Sequence, residues 1–170
     1  MSLAVGEAPV STISKPLDQL YTAHHAMVFR TAHRVTGNAA DAEDVLQTVF
    51  LRILKRDTSD IENPESYLRR AAVNAALDIV RSRKADNSLE LERTASSGSC
   101  TELRDLRDTV RRTIATFPPK TAEMIALRFF EGYTNPEIAK MMGISQIMVA
   151  VTVHRARKRL QQELKKGAAR

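Results

Sequence analysis

The sequence predicts an all-α protein made of two small helical domains joined by a flexible linker. Apolar residues recur at intervals of three and four in several segments, which is the spacing of one helix face, and no segment alternates as a strand does. Hydrophobic residues make up 43% of the 170 residues, enough to bury a core. Residues 85–103 are instead rich in serine, threonine and acidic side chains, which is typical of a linker.

The composition excludes several classes of protein. The single cysteine, Cys100, excludes an internal disulfide framework and a cysteine-based zinc site. The longest apolar runs have about five residues, far short of a bilayer span, and the first residues lack the pattern of a signal peptide. We therefore expect a cytoplasmic protein without membrane insertion. Its net charge of +6 indicates an anionic partner.

The first predicted domain, residues 16–84, contains three helices and follows a flexible tail of residues 1–15. Apolar spacing predicts the first helix over Leu17–Thr36. Asn38 is suited to cap a second helix, whose first turn is acidic. Pro64, which follows an asparagine, favours the start of a third helix.

The second predicted domain, residues 104–170, contains four short helices. Two consecutive prolines after Phe117 end the first of them. Thr134 and Glu137 have the spacing of a capping box at the start of the third. A turn containing Gly143 joins that helix to the last one, which is a helix-turn-helix arrangement.

Basic charge is concentrated in this second domain. Residues 104–170 carry 14 basic and 6 acidic side chains, whereas residues 1–84 carry 11 and 10. The last helix contains the basic cluster His154–Arg159, and the second helix of such a motif usually enters the DNA major groove. Basic side chains there would neutralise phosphates. The alternative is a helical bundle with a solvated basic face, because cations are favourable at helix C-termini.

Three segments occur in an order typical of one family. They are DAEDVLQTVFLR over residues 41–52, the helix of residues 64–84, and FPPKTAEMIALRFFEGYTNPEIAKMMGIS followed by VHRARKRLQQEL over residues 117–164. Together they resemble the extracytoplasmic-function (ECF) sigma factors of bacterial RNA polymerase, and the resemblance covers residues 15–84 and 103–166. It implies a region 2-like first domain and a region 4-like second domain.

The resemblance implies a non-enzymatic subunit without a cofactor. Such a subunit binds the β and β′ subunits of core polymerase, directs initiation at promoters with −10 and −35 elements, and helps to open the duplex. An anti-sigma factor is a possible further partner. The residues implied to bind polymerase are Asp41, Glu43, Asp44, Gln47, Leu51 and Arg52. The three acidic ones could also simply complement the helix dipole.

The −10 element is implied to bind as a melted strand along the third helix. The preceding loop, residues 57–63, would hold a flipped base while cations follow the backbone. The implied contact residues are Asp60, Asn63, Tyr67, Arg69, Arg70, Asn74, Arg81, Arg83 and Lys84. For Tyr67, core packing is the alternative to base stacking.

The −35 element is implied to bind as duplex to the last helix. The implied contact residues are Thr134, Gln146, Thr152, His154, Arg155, Arg157 and Lys158. The sequence departs from the family pattern here, since Ala150, Val151 and Thr152 stand where Lys, Ser and Arg are common. Either recognition relies on Gln146, Thr152, His154 and Arg155 together with DNA shape and phosphate contacts, or Ile147, Met148 and Val151 form a docking patch for a protein.

Other functions stay open at this point. The apolar last helix suits a polymerase-binding adaptor that has lost −35 reading, and a helix-turn-helix also suits a free-standing regulator. No catalytic set or phosphate loop is present. His24 and His33 are nine residues apart on one helix, on opposite sides, so no metal site is expected.

Overall fold

The computed structural model describes the backbone of residues 15–55, 61–87 and 99–168 and the side chains of residues 17–55, 61–83 and 102–166. This part of the chain contains seven helices and no strand, so the all-α prediction is confirmed. The helices are α1 (Lys15–Thr36), α2 (Ala39–Leu54), α3 (Pro64–Asn87), α4 (Ser99–Ala115), α5 (Pro119–Phe129), α6 (Asn135–Met142) and α7 (Gln146–Ala168).

The predicted capping residues define the starts of these helices. The Asn38 side chain accepts a hydrogen bond from the Asp41 N–H (3.2 Å) at the start of α2, and the Asn63 side chain accepts one from the Ser66 N–H (3.0 Å) at the start of α3. Each bond satisfies a backbone donor that has no partner within its helix. Gly143 ends α6 with a φ of 66°, a left-handed conformation that a residue without Cβ adopts without strain.

Two local hydrogen bonds define the starts of the two helices of the helix-turn-helix. The Thr134 N–H donates to a carboxylate oxygen of Glu137 at 2.7 Å, as the capping box predicts. After the Gly143 turn, the Ser145 hydroxyl accepts from the Met148 N–H at 3.2 Å and caps α7. Local sequence therefore fixes where the last helix starts.

The helices form two bundles, each with its own buried side chains. In the first bundle, α1 packs on α2 and α3; in the second, α5 packs on α4, α6 and α7. The largest buried side chains of the first bundle include Val28, Val45, Ile53, Leu68 and Leu77, and those of the second include Ile114, Ile125, Leu127, Ile138 and Val149.

The two bundles pack directly on each other, and α3 forms most of the contact. It touches α4 and α5 as well as α1 and α2, and the buried residues of both bundles form one continuous apolar cluster. We call this packing the closed arrangement. None of the described helices has the length and apolarity needed to cross a bilayer.

Helical structure extends further into the predicted linker, residues 85–103, than the sequence indicates. α3 continues to Asn87, and α4 begins at Ser99 instead of Leu103. Glu102 lies in the first turn of α4, where the helix dipole favours negative charge. Residues 88–98 and the predicted tail up to residue 14 lie outside the described residues, and the domain boundaries stay a prediction.

Candidate nucleic-acid interface

One polar face of α2 is exposed. Glu43, Asp44, Gln47 and Leu51 follow each other at intervals of one, three and four residues, so they share a side of the helix, and each is exposed to solvent. Arg52 is also exposed, at the edge of this face. These residues form a continuous surface that a partner can reach.

Asp41 lies apart from that face, although the resemblance grouped it there. It is buried, with 8% of its surface exposed, and its carboxylate pairs with the guanidinium of Arg83 at 2.5 Å. The pair joins the start of α2 to α3. Asp41 therefore belongs to the interior of the first bundle, and Arg83 is partly engaged by it.

Three predicted −10 residues share one face of α3, and that face points at the second bundle. Arg70, Asn74 and Arg81 are separated by four and seven residues, which places them on one side of a helix. Arg81 Nε donates to the carbonyl oxygen of Ala115, the last residue of α4, at 2.9 Å. Asn74 is half-buried.

Arg70 is bound to two groups of the second bundle. Its Nε pairs with Glu123 Oε1 at 2.5 Å, and its Nη1 donates to the Met141 carbonyl oxygen at 2.9 Å. Glu123 lies in α5 and is 4% exposed. A buried carboxylate of the second bundle thus holds an arginine of the first.

Glu131 forms a second and larger junction, just after α5. Its side chain is fully buried and accepts hydrogen bonds from Arg69 (2.6 Å), Arg34 (3.0 Å) and the Thr31 hydroxyl (3.0 Å). We call these four residues the Glu131 cluster. The three donors lie on α1 and α3, so one carboxylate of the second bundle binds two helices of the first.

Arg69 is held from several sides. It also pairs with Glu65 (2.7 Å), and its guanidinium lies 5.5 Å from the centre of the Tyr133 ring, a cation–π contact. Burial lowers the pKa of Arg69, but its hydrogen bonds to Glu131 and Glu65 outweigh burial and raise the pKa above its ordinary value. Arg69 therefore stays charged in this position.

The remaining −10 candidates differ in their surroundings. Tyr67 is half-buried, packs against the core, and lines a cleft of about 620 Å³ between the bundles. Asn63 caps α3 and is exposed. Asp60 lies outside the described residues, and for Lys84 only the backbone, within α3, is described.

The surface of α7 opposite the core has two chemically different halves. Ile147, Met148 and Val151 are 77%, 55% and 43% exposed. They share this side of the helix with exposed basic residues further along, which are His154, Arg155 and Lys158. The opposite side holds the buried residues Val149, Val153 and Ala156.

The other −35 candidates lie around this face. Gln146 is exposed at the N-terminal end of α7, Arg157 is exposed further along the helix, and Thr152 is half-buried. Thr134 is bound within the capping box, where it donates to Glu137. The described residues contain no group of three or more His, Cys, Asp or Glu placed to hold a metal ion.

Sequence reasoning missed the two buried glutamates and their partners Thr31 and Arg34. For Glu123 a signal exists, because it stands inside the apolar run of α5, where a charged residue needs a buried partner. No comparable signal marks Glu131. Its nearest cationic partner, Arg69, is 62 positions away along the chain.

Two family models match the chain in the order of its bundles. Sigma-70 region 2 matches residues 20–85, and Sigma-70, region 4 matches residues 107–160. These ranges contain most of α3 and, of the helix-turn-helix, all of α6 and the larger part of α7, the elements that carry most of the predicted DNA contacts.

Similar proteins include three sigma factors. The RNA polymerase sigma-E factor of Streptomyces avermitilis is 31% identical over 140 residues, which cover 81% of this chain and 78% of that protein. The ECF RNA polymerase sigma factor SigW of Bacillus subtilis is 26% identical and covers 81% and 83%. The ferric citrate uptake sigma factor FecI of Escherichia coli is 27% identical and covers 83% and 86%.

Two solved structures share the fold. CnrH in complex with the cytosolic domain of CnrY has a TM-score of 0.54 at 24% identity, covering 88% of both chains. The sigma factor RpoE of Bartonella quintana, in complex with the anti-sigma factor NepR, has a TM-score of 0.50 at 21% identity and covers 89% and 98%.

Proposed function

Because the chain belongs to the ECF sigma factors of RNA polymerase, we propose that its two bundles contact one promoter at two places while α2 holds the polymerase. As a sigma factor, the protein binds core polymerase and directs promoter-specific initiation of transcription. The observation that carries the proposal is the exposed side of α7, which runs opposite the core and ends in cations.

The exposed face of α2 is the proposed polymerase contact. Glu43, Asp44 and Gln47 offer polar groups, and Leu51, 56% exposed, offers an apolar contact. An apolar centre within a polar surround is the usual composition of a protein interface. Asp41 is left out of this proposal because it is buried against Arg83.

The exposed side of α7 is the proposed −35 contact. Its apolar half suits the C5-methyl groups of thymine in the major groove, and Gln146 can pair with an adenine edge. Its basic half suits phosphates, through Arg155 and Lys158. One helix side then performs both tasks, which favours DNA over a protein as its partner.

α3 is the proposed −10 contact. Arg69, Arg70 and Arg81 supply a row of cations along one helix, and Tyr67 lines the neighbouring cleft. A basic groove with an aromatic beside it is how proteins hold a single strand. The bases would be read once the duplex has melted.

A sigma factor acts through core polymerase, and this role implies further properties of the protein. We expect no catalytic activity of its own, no cofactor, and a cytoplasmic location. An anti-sigma factor is a proposed partner, since a sigma factor with this fold was solved with the anti-sigma factor NepR. The two matched regions do not favour the free-standing regulator or the adaptor.

The test is transcription in vitro with bacterial core polymerase, the purified full chain and a library of randomised promoters. Transcripts that depend on two sequence elements are expected. Enrichment of a −10 element alone would remove the proposed role of α7, and a chain that does not bind polymerase would overturn the proposal as a whole.

A charge-reversal variant tests the proposed polymerase contact of α2 separately from DNA binding. Asp44→Lys reverses a charge on the exposed α2 face and is expected to abolish capture of core polymerase in the absence of DNA. Glu163→Lys makes the same reversal at the far end of α7, where Glu163 pairs only with Lys166 of its own helix among the described contacts. Equal loss in both variants would contradict docking by α2.

A further inference from the structure

We propose that the closed arrangement forms a binding site for a diphosphate group, in a pocket lined by arginines of both bundles. The pocket has a volume of about 340 Å³ and lies where α4 meets α3 and the turn between α1 and α2. The proposal goes beyond the sigma function and does not depend on it, because neither polymerase nor promoter DNA takes part.

One wall of the pocket is a single side of α4. Its charged lining residues all lie three or four positions from Asp108, which is the spacing of neighbours on one helix face. They are Arg104, Asp105, Asp108, Arg111 and Arg112. Three of these five side chains are guanidinium groups, so this wall is basic.

The opposite wall belongs to the first bundle. It includes Gly37, in the turn between α1 and α2, and Arg83 of α3. A Cβ at Gly37 would lie 2.5 Å from Arg111 Nη1, so the missing side chain gives this guanidinium its room. Arg111 Nε donates to the Arg34 carbonyl at the end of α1 at 3.1 Å, and this bond fixes the two walls against each other.

Two of the four arginines already have carboxylate partners. Arg111 pairs with Asp108 at 2.8 Å, and Arg83 pairs with Asp41 at 2.5 Å. These pairs hold the two guanidinium groups in place before a ligand arrives, which lowers the entropy cost of binding. Arg83 is 46% exposed and keeps donors available.

The other two arginines, Arg104 and Arg112, have no carboxylate partner among the described residues. Arg112 donates only to neutral groups there, the Asp108 carbonyl (3.3 Å) and the Thr109 hydroxyl (3.2 Å), and Arg104 forms no hydrogen bond or ion pair with them. In the Glu131 cluster, by contrast, both arginines bind a carboxylate. The pocket therefore holds cations that an anionic ligand can neutralise.

The arrangement of these cations favours two linked phosphates. Guanidinium groups bind phosphate oxygens through paired N–H donors, and such charged hydrogen bonds are strong. Arg104 and Arg112 line one wall and Arg83 the other, so a ligand that meets both needs anionic oxygens at both ends. The volume lies within the range of about 300–1,000 Å³ for small-molecule sites. Free pyrophosphate and a nucleoside diphosphate share this chemistry.

The test is isothermal titration calorimetry on the full chain with sodium pyrophosphate, adenosine diphosphate and sodium phosphate. We expect one saturable site for both diphosphates, and about tenfold weaker binding of phosphate, which loses charged hydrogen bonds on one wall. Tighter binding of adenosine diphosphate would identify a nucleotide as the ligand. Equal affinities would assign recognition to the diphosphate group alone.

Variants of α4 with opposite expected effects show whether the pocket is the site. Arg104→Gln and Arg112→Gln change exposed side chains, and each is expected to weaken pyrophosphate binding about tenfold through the loss of charged hydrogen bonds. Asp105→Asn removes a negative charge from the pocket and is expected to strengthen binding severalfold. Arg107→Gln removes an exposed cation of the same helix that does not line the pocket, and should leave the affinity unchanged.

Three results would overturn the proposal. One is the absence of saturable pyrophosphate binding by the wild-type chain, and another is an equal loss in Arg107→Gln and Arg104→Gln, which would reduce binding to the overall charge of α4. The third is an Arg104→Gln chain that binds a random single-stranded oligonucleotide more weakly but pyrophosphate equally well, which would assign the pocket to the DNA backbone. Transcription with core polymerase is measured separately without added diphosphate, so the site and the sigma function stand or fall independently.

Discussion

The two proposed DNA surfaces differ in how their cations are engaged. On α3, Arg69 and Arg70 are bound to carboxylates of the second bundle at 2.6 and 2.5 Å. On α7, Arg155 and Lys158 are exposed on a side of the helix that faces away from the core. The number of cations in a sequence segment therefore does not say how many are free to bind a partner: those of α7 are exposed to solvent, whereas Arg69 and Arg70 of α3 are paired with carboxylates of the same chain.

The largest expected difference between the α3 and α7 surfaces is in how much their arginines contribute to the free energy of unfolding. Arg69→Ala leaves Glu131 buried with Arg34 and Thr31 as its remaining donors, and we expect a loss of about 2 kcal/mol in the free energy of unfolding, below the ~3–5 kcal/mol for fully breaking a buried pair. Arg157→Ala on α7 is expected to change it by less than about 0.5 kcal/mol. Urea unfolding measures both.

A double-mutant cycle checks the cause. If the loss comes from the uncompensated carboxylate, Arg69→Ala combined with Glu131→Gln costs less than the two single changes added together. Additive losses would mean that Arg69 stabilises the chain without its bond to Glu131, and the comparison between α3 and α7 would weaken.

Salt dependence should show that α7 contacts phosphates in the free chain. Lys158→Ala is expected to weaken binding to a −35 duplex severalfold and to reduce the slope of log K against log salt by about one. Arg107→Ala removes an exposed cation of α4 and serves as the matched control, with an unchanged slope expected. Fluorescence anisotropy over a salt series provides the measurement.

The apolar half of α7 should contribute a smaller, base-specific effect. Ile147→Ala is expected to cost about 0.8 kcal/mol of binding free energy for each methyl-sized group that leaves a thymine contact. Replacing thymine by uracil in the −35 duplex removes the methyl group from the DNA side. The two changes should not add, and an unchanged affinity for Ile147→Ala would favour a protein as the partner of this patch.

The smallest effect concerns Glu137, an exposed carboxylate that contrasts with buried Glu131. Hydrogen bonds from the Thr134 side chain and N–H lower the pKa of Glu137 below its ordinary value of 4.5. The charged form is favoured in the folded state, so this stabilisation is present above pH 4.5 and is lost as the pH falls through the lowered pKa.

The check is a carboxyl titration by NMR. In Thr134→Ala the pKa of Glu137 should rise towards its ordinary value, because the hydroxyl donor is gone. Thr116→Ala removes an exposed hydroxyl that bonds only a backbone carbonyl among the described contacts, and it should leave the Glu137 titration in place. A depressed pKa that survives Thr134→Ala would assign the shift to the backbone N–H alone.

Local signals in the sequence predicted much of this fold. Asn38, Asn63 and the pair Thr134 and Glu137 cap helices as expected, because capping depends on residues within four positions of each other. The side of α7 that faces away from the core was likewise predictable from the spacing of Val149 and Val153, since periodicity alone defines it.

The ion pairs between the arginines of α3 and the second bundle could not be predicted from such local signals. Arg69 and Glu131 lie 62 positions apart, and Arg70 and Glu123 lie 53 apart. Their pairing depends on how two bundles dock, and the pattern of each helix carries no information about that. Asp41 shows the same limit at shorter range, because its acidic position in a first turn is consistent with exposure or with burial beside Arg83.

The position of α3 at the contact between the two bundles has a consequence for the dynamics of the chain. Its residues Leu68, Ala72 and Val73 are fully buried, and the helix packs on α1 and α2 on one side and on α4 and α5 on the other. Opening either bundle therefore leaves α3 covered by its remaining neighbours. The backbone amides at its centre should be the slowest in the protein to exchange with deuterium, and their exchange reports global unfolding.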